Sequence, residues 1–372
     1  MSFPSEGAGE REALIRRFLN EAGLGAARRE PLPGDASTRR YERLHTGDGR
    51  TLMLMDAPPA AESRPCGPRA DEQERRRAGY NAMARLSAGR VDAFVATAGY
   101  LRERGLSAPE VVAAEVPQGL AVLEDLGDGL FTEEIGRGAE PRELYFAAVE
   151  ALAQLHGETP PAVMQADGAS WPLLDYDELA LTTGVDLFVE WWPKLMAGAR
   201  LDGGALDEWR ALWAPVAGRG AAGASVFTHR DYHAENLIWL RDRAGPARVG
   251  MLDFQDAVRA HPAWDLLSLL QDARRDVAPE LEAAALGRYF ELRAPADRGA
   301  FMEDYWALAA LNNTRILGIF ARLIVRDHKA RYGRFLGRVW GQLQRDLAQP
   351  GMAPLQAWFA RHVAPPQLAG AT

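Results

Sequence analysis

The sequence predicts an α+β chain of two lobes, a small N-terminal lobe with an antiparallel sheet and a larger, mostly helical C-terminal lobe. Three observations carry that expectation. The chain has 372 residues, more than the ~250 at which a single hydrophobic core stops growing. Its first third alternates short strand-like runs with turns, whereas long amphipathic stretches dominate after Leu126,. Its composition, 47% hydrophobic and 25% charged, belongs to a packed protein and not to a disordered one,.

The opening stretch MSFPSEGAGEREALIRRFLNEAGL sets apolar residues at helical spacing among charges and lacks the basic-then-apolar pattern of a signal peptide,. Strands around Tyr41–Leu44 and Thr51–Met55 flank the turn Thr46-Gly47-Asp48-Gly49, a hairpin,. Just before it, Pro33 to Thr38 is small and polar, the composition of a turn whose backbone can approach a ligand,. Pro58 to Ala70 reads as a loop and the charged run Asp71 to Leu86 as a solvated helix,. A helix over Val91–Arg104 closes at Gly105, and EVVAAEV and GLAVLEDLG form a second hairpin through Pro117-Gln118-Gly119,. The lobe boundary is expected near Glu124 to Gly129, giving lobes of 1–124 and 125–372. Beyond it, Leu144, Ala148, Leu152 and Leu155 share a helix face, with Pro141 near its start and Gly157 past its end,. The aromatic runs LFVEWWPKLM and LDEWRALWAPV read as helix core,.

Charge and cysteine content narrow the partners. With 43 basic against 51 acidic residues and no run of Lys or Arg, nucleic acid is not expected,. The lone Cys66 rules out an intrachain disulfide and a cysteine-based zinc site, which suits a reducing compartment,. Nowhere do ~18 uninterrupted apolar residues occur, so no membrane span is expected,. These features point to a cytoplasmic protein with no obligatory protein partner evident.

The chemistry concentrates in VFTHRDYHAENLIWL, residues 226 to 240, where polar and charged side chains are bracketed by apolar runs. NLIWL, the turn RDRAGPA and RVGMLDF read as a hairpin that brings Asn236 and Asp253 together at its mouth, with Asp231 on the incoming loop,. An amide oxygen and carboxylates there suit a hard cation such as Mg2+. His229, Arg230, Asp231 and Asn236 fit the kinase catalytic-loop pattern H-R-D-x-x-x-x-N, and Asp253 in LDFQD stands where kinases carry the metal-binding Asp of D-F-G,. Phosphoryl transfer needs that set: a base beside the acceptor hydroxyl and metal ligands beside the phosphates, held on rigid strands.

Gln255 occupies the position of the D-F-G glycine, so the chain departs from protein kinases proper. On the segments GDASTRRYERL, LMDAPP, LEDLG, HRDYHAENLIWL, LDFQDAVRAHPAWDLLSLLQDARRDV and LGIFARL it resembles the aminoglycoside phosphotransferase-like family of small-molecule kinases, over most of its length. Within that family the likeness is strongest to the bacterial kinases of cell-wall amino sugars. The resemblance implies a two-lobed protein-kinase-like fold, with nucleotide bound by the N-lobe and the metal site and sugar pocket in the C-lobe. It implies ATP and Mg2+ as cofactors and phosphorylation of the anomeric hydroxyl of N-acetylmuramate or N-acetylglucosamine. Other acceptors, an aminoglycoside or choline, and a non-catalytic pseudokinase are the alternatives.

By the same resemblance Asp231 accepts or orients the acceptor proton, and Asn236 and Asp253 hold Mg2+. Backbone groups of Glu124 and Leu126 pair with adenine, and the loop Gly34 to Arg40 covers the phosphates with Ser37 and Thr38. Asp265 ties the catalytic loop in place. The strand TLMLMD carries Met53 and Met55 where kinases place a phosphate-gripping lysine, and no Lys precedes Lys194,. Either Arg39 or Arg40 takes that role, or the phosphates rely on Mg2+ and the loop backbone,. His233 is either a loop histidine bonded to backbone or a substrate contact,. Arg315, in LNNTRILGIFARL, is the candidate partner for the lactyl carboxylate of N-acetylmuramate,.

Overall fold

A computed structural model describes residues 5–33, 39–58, 65–196 and 201–366. Helix α1 (Ser5–Glu21) precedes a five-stranded sheet built from β1 (Arg28–Pro31), β2 (Arg40–His45), β3 (Thr51–Asp56), β4 (Val111–Glu115) and β5 (Leu120–Glu124). The strands run antiparallel in the order β1-β2-β3-β5-β4. Both hairpins expected from sequence are present, and β1 is an added edge strand. Its four residues, Arg-Arg-Glu-Pro, lack the alternating apolar pattern of a strand and are mostly exposed,.

The two sheet faces bury different partners. Leu44, Leu54, Leu120 and Val122 pack against Ile15, Phe18 and Leu19 of α1. Met55, Ala121 and Leu123 belong instead to a core continuous with the helical part of the chain. That alternation follows from the period of two along a strand.

The run Asp71 to Leu86 is not one solvated helix, contrary to expectation. Helix α2 (Glu72–Ala78) ends at Gly79, whose φ of 99° breaks it, and a single turn, α3 (Tyr80–Met83), follows,. Arg75 and Arg85 are buried and both reach Asp177, at 2.5 and 3.1 Å. A carboxylate about a hundred residues away turns charged side chains inward, which periodicity alone does not reveal.

The remaining helices are α4 (Val91–Glu103), α5 (Phe131–Gly136), α6 (Pro141–Leu155), α7 (Glu178–Leu195), α8 (Gly203–Ala222), α9 (Ala263–Leu270), α10 (Pro279–Arg293), α11 (Arg298–Val325), α12 (Leu336–Leu347) and α13 (Ala353–His362). Between them lie three two-stranded ribbons: β6 (Val163–Ala166) with β7 (Ala169–Pro172), β8 (Val226–Thr228) with β11 (Val258–Ala260), and β9 (Leu237–Trp239) with β10 (Val249–Met251). Trp192, Trp209 and Trp213 are buried, as the aromatic runs imply, and Phe188 stacks on Trp192 and Trp209. Helix α11 crosses the centre against α7. At Gly318 the approach is so close that a Cβ would sit 2.5 Å from backbone atoms of Leu187 and Phe188. Among the described residues α11 alone is long and apolar enough to cross a bilayer, and 61% of its most apolar window is buried inside the fold.

Candidate active site

The loop of residues 229–236 hangs between two of the ribbons. β8 pairs with β11 and β9 with β10, so residues 229–236 and 252–257 emerge side by side. The register Leu237↔Met251 continues into a bond from the Leu252 amide to the Asn236 carbonyl, 2.9 Å. Asn236 and Asp253 therefore share one hairpin mouth. The Asn236 side-chain amide donates to the Asp231 carbonyl at 2.9 Å, fixing the spacing of the loop and leaving its oxygen available as an acceptor,.

Two residues of this region hold left-handed backbone: Arg230 at φ 81° and Asp253 at φ 61°. Such conformations persist only when neighbours over-determine them, and Arg230 is held through its amide, its carbonyl and one guanidinium nitrogen. Its amide and that of His229 donate to the Asp265 carboxylate at 2.8 and 2.6 Å. Its carbonyl accepts from the Trp264 indole at 3.3 Å, and its guanidinium donates to the Arg85 carbonyl and lies over the Tyr176 ring. Asp265 is fully buried at the first turn of α9. Burial pushes its carboxyl up to about 7 against the pull of the two amides,. His229 is likewise buried, and burial pushes its imidazole down to about 4.

The Asp253 carboxylate is partly open to solvent, and one oxygen takes two donors: Arg39 at 2.6 Å and Gln255 at 3.1 Å. Gln255 thus uses the position of the D-F-G glycine to orient the carboxylate beside it, a role the sequence did not disclose. Among the described residues no cluster of three His, Cys, Asp or Glu forms. A carboxylate with a neighbouring amide oxygen is a small, hard donor set of the kind Mg2+ accepts when water and phosphate complete its shell, so the residues present fit that ion.

The two arginines of the turn part company. Arg39 reaches Asp253, whereas Arg40 is exposed and pairs with Asp56 at 2.8 Å, alongside Arg11. Ser37 and Thr38 lie outside the described residues. Met53 and Met55 stand on β3 in register with Arg43 and Tyr41, and Arg43 is occupied by Asp125 at 2.7 Å. The Glu124 amide is donated to the Glu110 carbonyl at 2.8 Å, which leaves its carbonyl as the candidate for a base edge. The Glu124 side chain ties β5 to the β9–β10 ribbon through Arg243. The Leu126 amide has no hydrogen bond among the described residues.

On the other side of Asp231 opens a cavity of about 180 Å3, lined also by Arg230, His233, Asp272, Arg274 and Arg315. The His233 ring nitrogen Nε2 faces donors from Arg274 at 3.3 Å and Asn236 at 3.4 Å, which places it as an acceptor,. Arg274 is braced by Glu235 at 2.9 Å. Arg315 donates to Asn312 at 3.1 Å, and among the described residues no carboxylate lies within 4.0 Å of its guanidinium. Asp231 and Asp256 are among the charges that face it. The polar stripe on α11 divides: Arg315 and Asn312 line the cavity, whereas Asn313 points into a buried cluster with Gln271 and Asp346.

Residues 28–302 match the model of the phosphotransferase enzyme family. The chain belongs to that family. The phosphotransferase is 57% identical to the N-acetylmuramate/N-acetylglucosamine kinase of Caulobacter vibrioides over 95% of its own length and 97% of the relative's. It is 29% identical to the protein of the same name from Pseudomonas aeruginosa, covering 87% and 86% of the two chains. Among solved structures it is similar in fold to a choline/ethanolamine kinase family protein from Mesorhizobium loti, with a TM-score of 0.52, 17% identity and coverage of 94% and 98%. The phosphotransferase is thus a kinase-type enzyme of protein-kinase-like fold.

Proposed function

We propose that this phosphotransferase moves the γ-phosphoryl group of ATP to the anomeric hydroxyl of N-acetylmuramate or N-acetylglucosamine, in the cytoplasm. The observation that carries the reading is that Asp231 shares its cavity with Arg315, a guanidinium with no carboxylate partner among the described residues. It suits an acceptor that presents a hydroxyl to a base and, in N-acetylmuramate, a carboxylate to a cation. The names of the similar kinases support the same substrates.

In this mechanism Asp231 orients the anomeric hydroxyl and takes its proton as the O–P bond forms and the bond to the leaving ADP oxygen breaks. The anomeric hydroxyl is the most acidic on the sugar, since the ring oxygen withdraws charge, so an ordinary carboxylate suffices. Asn236 and Asp253 hold Mg2+, which when bound neutralises charge on the phosphates. Arg39, already directed into the cleft, grips the phosphates where the strand lysine is missing, and Ser37 and Thr38 offer them hydroxyl or backbone donors; Arg40 is committed to Asp56,. The Glu124 carbonyl and Leu126 amide receive adenine. His233, held by Arg274, lines the sugar side.

The cavity disfavours the alternative acceptors. Asp231 and Asp272 face Arg230 and Arg274 there, and Arg315, with no carboxylate partner among the described residues, repels a polycationic aminoglycoside or a choline cation,. The test is ADP release with N-acetylmuramate, N-acetylglucosamine, choline and an aminoglycoside, with NMR locating the new phosphate. Turnover of the two sugars at carbon 1, lowered about 10^2- to 10^4-fold in Asp231→Asn, is the expected result. Turnover of choline or the aminoglycoside alone, or phosphate on another hydroxyl, overturns the reading.

A further inference from the structure

Asp272 follows α9 by two residues and lines the same cavity as Asp231 and Arg315. It is 1% exposed. Its Oδ1 accepts the Arg274 amide at 2.8 Å, whereas its Oδ2 is buried with no hydrogen-bond partner among the described residues. Nor does any described Lys, Arg or His nitrogen lie within 4.0 Å of it. The other buried carboxylates nearby differ. Asp265 takes two amides, Asp346 takes Asn313 and Gln271, and Glu282 takes Arg345 and Tyr305. A buried carboxylate oxygen without a donor is costly, and where it lines a binding cavity a ligand donor is its natural complement.

The cavity also restricts what that donor can be. Arg274 is paired with Glu235, and Arg315, with no carboxylate partner among the described residues, opposes a cationic group, so a neutral hydroxyl fits best. We propose that Asp272 is a substrate-binding residue whose Oδ2 accepts a hydroxyl from the carbon 4 or carbon 6 end of the sugar. This rests on the amino-sugar reading above. The sugar chemistry selects those positions: carbon 1 faces Asp231, carbon 2 carries the acetamide, and in N-acetylmuramate the carbon 3 oxygen is an ether. Beside the acetamide N–H, only the 4- and 6-hydroxyls remain as donors common to both sugars, and they alone are hydroxyls.

The experiment compares the wild-type enzyme with Asp272→Asn and Asp272→Ala on N-acetylglucosamine and its 4-deoxy and 6-deoxy analogues, with Tm recorded for each protein. The asparagine retains an oxygen for the Arg274 amide, so folding is preserved. The expected result is a sugar KM raised about 10- to 100-fold in both variants, as for loss of a hydrogen bond to a charged group, with the KM for ATP unchanged. One deoxy analogue loses a similar factor with wild type but almost nothing further with Asp272→Ala. A purely structural role would raise neither KM selectively nor couple to one hydroxyl. If wild type turns over neither N-acetylglucosamine nor N-acetylmuramate, assayed alongside, the amino-sugar reading itself fails. If wild type is active yet neither deoxy analogue loses more than twofold, or the loss is the same in wild type and Asp272→Ala, the assignment of Asp272 is overturned while the amino-sugar reading stands.

Discussion

Replacing Asp265 with asparagine tests how the catalytic loop is held. The carboxylate accepts the His229 amide at 2.6 Å and the Arg230 amide at 2.8 Å, and it is fully buried. Asparagine retains one acceptor oxygen and turns an NH2 group toward the second amide, leaving a buried N–H unsatisfied at a cost of ~1–3 kcal/mol. That amide belongs to a segment in which Arg230 holds φ 81°, a conformation worth ~1–3 kcal/mol of strain once its restraints go,. The expected loss in stability is therefore ~1–3 kcal/mol, and relaxation of that strain displaces Asp231, one residue on. The pH dependence has a definite sign. Asp265 titrates at about 7, above its ordinary value, so near neutrality the folded chain binds a proton that the unfolded chain has lost. Its contribution to stability is therefore present at low pH and lost as pH rises through 7, by ~1 kcal/mol between pH 6 and 8. Urea unfolding at both pH values, with turnover measured in parallel, checks both statements. An Asp265→Asn protein with the wild-type urea midpoint and wild-type turnover would refute this account of the loop, and a stability gap that does not narrow from pH 6 to pH 8 would refute the titration.

Other outcomes follow from particular contacts. Arg39→Ala should raise the KM for ATP about tenfold or more, as loss of a charged phosphate contact does, while Arg40→Ala leaves it near wild type; equal effects would contradict the division of labour seen at Asp253 and Asp56. Arg315→Ala should raise the KM for N-acetylmuramate roughly 100-fold and spare N-acetylglucosamine, which lacks the carboxylate; steady-state kinetics with both sugars decide. Gly318→Ala should lower Tm, because the added Cβ meets backbone of α7 at 2.5 Å and overpacking of ~1–3 kcal/mol outweighs a helix-propensity gain of ~1 kcal/mol,. A rise in Tm would mean that α7 and α11 separate freely. For His229, depressed to about 4 by burial, the unfolded chain binds more protons between pH 6.5 and 4, so stability falls with falling pH there. Denaturation of wild type and His229→Gln should show the gap between them closing by ~2–3 kcal/mol from pH 7 to 4.5, and a constant gap would count against a buried neutral imidazole.

Local chemistry made much of this legible in the sequence. Both N-terminal hairpins were readable from turn residues between apolar runs, and α6 from its spaced leucines, because those signals lie within a few residues of one another. The catalytic loop was readable for the same reason: its polar residues are consecutive, and the ribbon of β9 and β10 that carries Asn236 and Asp253 is a local hairpin. The β8–β11 pair escaped notice. Its three-residue strands are thirty residues apart, and nothing local distinguishes them from other apolar triplets. The charged run from Asp71 misled because Arg75 and Arg85 find Asp177, far away in sequence.

Local sequence specified the two N-terminal hairpins, helix α6 and the set of groups around residues 229–255, since propensity, turn chemistry and motif spacing are properties of neighbours along the chain,. Packing settled which of two adjacent arginines enters the cleft, that Gln255 steadies Asp253, and that Asp272 lines the cavity beside Asp231 and has an oxygen unpartnered among the described residues. Those outcomes depend on which distant groups remain to satisfy each buried charge, and that competition exists only once the chain has packed.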